Sequence, residues 1–242
     1  MNYFEYAGVN SHYMGLKIEK KDVFSSPKYE TEFTSIPGRD GELISPNGRY
    51  GNVQVTYSVF LPAKTQQELA DKISAVKAWL YAEPNAYHEL RDTYDDKYFR
   101  KAVFSSKLDI EDELNRVGVF TISFTCLPFR YAIDGFKEIR VASGSVVTNP
   151  TTFSSKPYIM LYGNGSGTLT ITSPGSVKSW TFSDIKQYVE IDSELMNFYK
   201  GSIPENDSVE GEGFPILHPG GNTFTFSGGI TGASVYPKWV TL

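Results

Sequence analysis

Two stretches of the chain alternate apolar and polar residues with a period of two. In VQVTYSVF, Val53, Val55, Tyr57 and Val59 fall on one side and Gln54, Thr56 and Ser58 on the other. In VFTISFTCL, Phe120, Ile122, Phe124 and Cys126 alternate with Thr121, Ser123 and Thr125. Both patterns predict half-buried antiparallel strands. Between them, TQQELADKISAVKAWLYAEP changes period. Leu69, Ile73, Val76 and Leu80 follow four-three-four spacing, Thr65 and Glu68 form an S/T-x-x-E capping box, and Pro84 forbids continuation. The pattern predicts one amphipathic helix packed on a sheet.

After LPFRYAIDGF the helical period disappears, and Gly, Ser, Thr and Pro punctuate short apolar runs. A boundary near Tyr131 divides the chain into residues 1–130 and 131–242. The runs IRVASGSVV, PYIMLY, TLTITS, YVEID, NTFTFSG and SVYPKWVTL come at the spacing of a β-sandwich, with GNGSG (Gly163 to Gly167) expected as a tight turn between two strands. The fold class is therefore mainly β: an α+β first domain with one helix on a sheet, then an all-β second domain. In the first domain, IPGRDGEL combines Pro37, Gly38 and Gly41, and Asn47-Gly48 adds a hairpin signal. A projecting, turn-rich segment is expected ahead of the VQVTYSVF strand.

Composition narrows the function. The chain has 242 residues, 40% hydrophobic and 21% charged, within globular norms. No apolar run reaches the roughly 18 to 20 residues that span a bilayer, and MNYFEYAGVN lacks a signal-peptide layout, so a soluble product made in a cytoplasm is expected. A net charge of -5 argues against a nucleic-acid clamp, which needs a basic surface. The 16 Tyr, 16 Phe and 3 Trp suit pleated, half-buried surfaces.

Candidate chemistry is sparse. Cys126 is alone, so no internal disulfide forms, and its register beside Phe124 makes it a buried small hydrophobe rather than a nucleophile. His12, His88 and His218 lack metal-ligand spacing. GNGSG has no lysine and no following helix to hold phosphate. DIEDELNR, Asp109 to Arg116, lacks the ligand order of a calcium loop and is expected to be a solvated connection. Asp192 and Glu194 at a strand end leave open a glycosidase-type carboxylate pair. Tyr158, Tyr162, Trp180, Tyr199 and Trp239 leave open a sugar-stacking platform, with core packing as the commoner fate. No catalytic, cofactor or metal site is assigned, which points to binding or assembly.

In order along the chain, NSHYMGLKI, IPGRDGEL before an alternating strand, the KISAVKAWL helix, TCLPFRY, YIMLYGNGSGTLTI, VEIDSE, GEGFPILHPGGNTFTFSG and a closing YPKWVTL resemble the distal tail protein (Dit) family of long-tailed, non-contractile bacteriophages. The resemblance covers nearly the whole length and matches the compact two-domain form. It implies a structural, non-enzymatic virion protein at the phage tail tip, assembled in the host cytoplasm. Its first domain would build a hexameric ring, single or stacked, through a protruding belt. Ile36, Pro37, Gly38, Arg39, Asp40, Gly41, Asn47 and Gly48 are the candidate belt and ring-interface residues. The second domain would be a galectin-like sandwich. Implied partners are the tail tube protein and a tail lysin, tail fibre or receptor-binding protein, with DNA passing through the ring and neither sequence-specific DNA binding nor membrane contact. Two other readings remain: a module that binds host cell-wall glycans, and a cell-wall hydrolase using Asp192 or Glu194.

Overall fold

A computed structural model describes residues 2–113 and 116–242, which form two compact units. One comprises the residues up to Arg130 together with Leu242, and the other runs from Tyr131 to Thr241. The chain is mostly strand. In the first unit the elements are β1 (Phe4–Tyr6), β2 (Val9–Asn10), β3 (Lys17–Asp22), β4 (Tyr29–Ser35), β5 (Glu42–Tyr50), β6 (Val53–Pro62), α1 (Gln66–Leu80), β7 (His88–Asp92), β8 (Tyr98–Val103), β9 (Ile110–Glu113) and β10 (Val117–Ala132). Strands pair in the order β2-β1-β7-β8-β10-β6-β3, with β9 also on β10.

The alternation in β6 and β10 reflects burial on one face. Val53, Val55, Tyr57, Val59 and Leu61 of β6 share a core with Phe120, Ile122, Phe124 and Cys126 of β10, and the two strands pair from Val117 opposite Pro62 to Cys126 opposite Val53. Helix α1 covers this face. Thr65 caps it by accepting the Glu68 amide at 3.2 Å, while the Glu68 carboxylate accepts the Lys64 amide at 2.8 Å. Leu69, Val76, Trp79 and Leu80 are buried, and each large apolar side chain removed from water contributes about 1.5–3 kcal/mol. The four-three-four stripe omitted Trp79, whose indole N–H reaches the Tyr6 carbonyl at 3.0 Å. DIEDELNR is also more ordered than expected, because Ile110 to Glu113 pair with β10 as β9. Leu114 and Asn115 in that stretch lie outside the described residues.

The second unit contains β11 (Ile139–Val141), β12 (Val146–Asn149), β13 (Tyr158–Ser173), β14 (Ser176–Asp192), β15 (Asn197–Lys200), β16 (Ile203–Pro204), β17 (Val209–Gly211), β18 (Gly220–Tyr236) and β19 (Val240–Thr241). The order is β11-β18-β13-β14-β15-β16, with β12 on β18 and β17 on β14. Short apolar runs thus belong to three long strands. PYIMLY and TLTITS both lie in β13, so GNGSG is no turn. It is a corner inside a continuous strand, where the register against β14 and β18 shifts. The cause is close backbone approach: a Cβ on Gly229 would lie 1.8 Å from the Asn164 carbonyl oxygen, and one on Gly163 would lie 2.5 Å from the Gly229 oxygen. Residues from both sides of the corner, Ile159 and Leu161 before it and Leu169 and Ile171 after it, enter one core with Trp180, Phe182 and Phe224. The long strands therefore bend to supply both layers of a sandwich.

Candidate functional site

The hairpin β4–β5 is a two-stranded sheet of its own, paired with no other strand among the described residues. Ile36 to Gly41 form its tip. The Arg39 amide closes a turn on the Ile36 carbonyl at 3.1 Å, with Pro37 and Gly38 at the central positions and Gly38 at φ +79°. Asn47-Gly48 does not turn the chain. These residues lie within β5, where the register slips between Tyr29 opposite Tyr50 and Thr31 opposite Pro46, so the extra residues bulge out of the ladder. Sequence reasoning misplaced them because Asn-Gly serves a bulge as readily as a hairpin turn.

The apolar residues of this hairpin face solvent. Phe33 and Ile44 stand directly opposite each other and are each 61% exposed, and Leu43 is exposed beside them. A two-stranded ribbon has marginal stability alone in water, so this exposed cross-strand pair of Phe33 and Ile44 gains little from the hairpin itself. At its base Tyr29 and Tyr50 meet edge to face at 4.9 Å, Tyr50 meets Phe129 at 5.6 Å, and Arg49 reaches Glu30 at 2.6 Å. The root is therefore anchored while the apolar end is bare.

The remaining candidates divide. Asp192 and Glu194 do come together, but around Lys238, whose ammonium lies 3.3 Å and 3.5 Å from their carboxylates. Asp192 also accepts the amides of Glu194 and Leu195, and Tyr131 donates to Glu194 at 3.2 Å. Burial, and then the Glu194 charge, push the Tyr131 hydroxyl well above its ordinary pKa. The carboxylates thus brace a turn around Lys238, and Asp192 is buried. Burial pushes the Cys126 thiol up to about 12, which leaves no thiolate for chemistry at neutral pH. His88 lies beside Glu83 and His218 beside Ser154. Among the described residues no three metal-ligating side chains converge. A cavity of about 20 Å³ in the first unit, lined by Tyr57, Asp92, Arg100 and Arg130, has room for a water. The five aromatics proposed as a platform also divide: Trp180 and Trp239 are core residues, whereas Tyr158, Tyr162 and Tyr199 lie on the sandwich surface.

Residues 12–126 match the family model of the phage tail protein RIFT-related domain. Over its whole length the chain superposes on the crystal structure of the phage SPP1 Dit protein (gp 19.1), described as a paradigm of the hub adsorption apparatus in phages infecting Gram-positive bacteria. The TM-score is 0.78, with 13% identity and 100% of both chains covered. The chain has the fold of a distal tail protein. The phage P2 baseplate in its activated conformation, solved with calcium and with strontium, contains a chain that matches at a TM-score of 0.52, 8% identity and 97% coverage of each. No curated protein matches the sequence. The likeness to distal tail proteins thus holds for the fold throughout, and the family model adds a match over residues 12–126 of the first unit.

Proposed function

We propose that this distal tail fold is a non-enzymatic hub subunit whose β4–β5 hairpin joins identical copies into a closed hexameric ring at the tail tip. The observation that carries this reading is the hairpin itself: paired strands with an anchored root, open edges and bare Phe33 and Ile44. A ring requires two different patches per subunit, related by a rotation that closes. The hairpin supplies one, and the open edge of β3, at the end of its sheet, supplies a backbone ladder that a neighbour's strand can extend. In this reading Ile36, Pro37, Gly38, Arg39, Asp40 and Gly41 shape the tip, and Asn47 and Gly48 bulge β5. Residues 1–130 build the ring and 131–242 form a peripheral galectin-like domain. The tail tube and a lysin, fibre or receptor-binding protein dock on the ring, and DNA passes through it. The assembly forms in the host cytoplasm.

Light scattering coupled to size exclusion tests ring formation. The expected mass is six times the 27.1 kDa chain, about 163 kDa, or twice that for stacked rings. Phe33→Ser with Ile44→Ser should give monomers with unchanged thermal unfolding. A wild-type protein that stays monomeric at every concentration, or a double variant that still assembles, would sink the hairpin reading.

A further inference from the structure

The two layers of the sandwich are made largely from the same three long strands, yet their outer faces differ in kind. Beyond the glycine corner the outward positions are Thr168, Thr170 and Thr172 of β13, facing Thr181 and Ser179 of β14 and Thr225 of β18. Before the corner the outward positions become aromatic. Tyr158 stands opposite Tyr236, Tyr162 opposite Tyr188, and Glu190 opposite Tyr199. Strand propensity accommodates Thr and Tyr alike, so it does not account for segregating them.

The tyrosines are held in place. Tyr158 donates to Glu190 at 2.6 Å, its ring meets that of Tyr236 at 5.6 Å, and Tyr162 and Ser234 share a hydrogen bond at 3.1 Å. Glu190 also accepts the Gly201 amide at 2.9 Å, which ties the β15–β16 turn to the platform. Tyr162 is 36% exposed, and its partner across β18 is Gly232, which has no side chain to cover the ring. Beside it runs an open groove of about 340 Å³, lined by Arg140, Tyr162, Gly232 and Ser234. Ser234 donates to Glu138 at 2.5 Å, and that hydrogen bond, then Arg140 at 3.1 Å, holds the Glu138 carboxyl below its ordinary pKa.

We propose that this tyrosine face is a carbohydrate-binding site, with Tyr162 as the stacking ring and Arg140 and Glu138 as the hydroxyl-reading pair. A pyranose presents flat C–H faces rimmed by hydroxyls. It needs fixed rings, with planar donors and acceptors beside them, in a groove of a few hundred Å³. Protein interfaces centre on an apolar core, whereas the outward positions paired here include Met160 but no Leu, Ile or Val. The site is separate from the hairpin and does not depend on ring formation.

The test is an array of immobilised bacterial and plant polysaccharide fragments probed with the full chain. Wild-type protein should bind a subset of glycans, Tyr162→Ala should lower that signal at least tenfold, and Thr170→Ala on the other layer should leave it unchanged. Tyr188→Ala gives a second disruption, and thermal unfolding of every variant controls for folding. Absence of any glycan signal above that of Tyr162→Ala, or equal loss with Thr170→Ala, would overturn the proposal.

Discussion

PGRDG in the hairpin and GNGSG in the sandwich read alike as short glycine-rich breaks, and they do opposite things. At the hairpin tip Gly38 and Gly41 take φ of +79° and +81° with nothing within 4 Å of a would-be Cβ, so glycine is needed there for backbone conformation in open space. In the sandwich Gly165 also takes a positive φ in open space, but its neighbours sit where strands nearly touch, and a Cβ on Gly229 or Gly163 has no space. One stretch lets the chain turn back, whereas the other lets a continuous strand bend under a neighbour. Glycine content alone does not separate the two, but the cost of adding a methyl group does.

The largest effect should come from Gly229→Ala. With the Cβ 1.8 Å from a backbone carbonyl, the corner must open, at a cost above about 4 kcal/mol, and the second unit should fail to fold. Tryptophan fluorescence reads this through Trp180 and Trp239, both buried there, and native-like emission would refute it. Cys126, the single thiol, lies in the first unit and should stay protected from alkylation, which would show that the damage is confined.

Gly38→Ala should cost less, about 1 kcal/mol, because it asks only for an L residue at positive φ with free space around it. Thermal unfolding measures this, and a loss as large as that of Gly229→Ala would erase the contrast. The same thiol gives a pH signature. Its folded pKa of about 12 stands above the unfolded value of 9.0, so its contribution to stability is complete below pH 9 and is lost as pH rises toward 12. Denaturant titrations from pH 8 to 11 should show stability falling with pH, less steeply in Cys126→Ala. The smallest effect belongs to Arg49→Ala. That side chain is 73% exposed, and the pair it makes with Glu30 is screened, so the melting temperature should not move measurably.

Legibility followed how local the cause was. The faces of β6 and β10 and the α1 cap came from short-range periodicity and capping chemistry. The exposed hairpin was legible as turn-rich, but Asn47-Gly48 was not, since a bulge and a turn differ only in what pairs across them. The long strands of the second unit were hidden for the same reason: the GNGSG corner exists because Gly228 and Gly229 lie against it from over 60 residues away. Trp180 and Trp239 could not be told from Tyr162 by residue type. Register decides which aromatic faces the core, and register at a bulge is set by the partner strand.

The uninterrupted course of β13, β14 and β18, of 16 or 17 residues each, has a mechanical consequence. A sandwich whose layers are joined only by loops can be pulled apart one layer at a time. Here each of three strands belongs to both layers, and neighbours are laced along nearly their full length. Tension applied along the strands loads the whole ladder in shear, so its hydrogen bonds resist together, and the domain should behave as a rivet rather than a hinge.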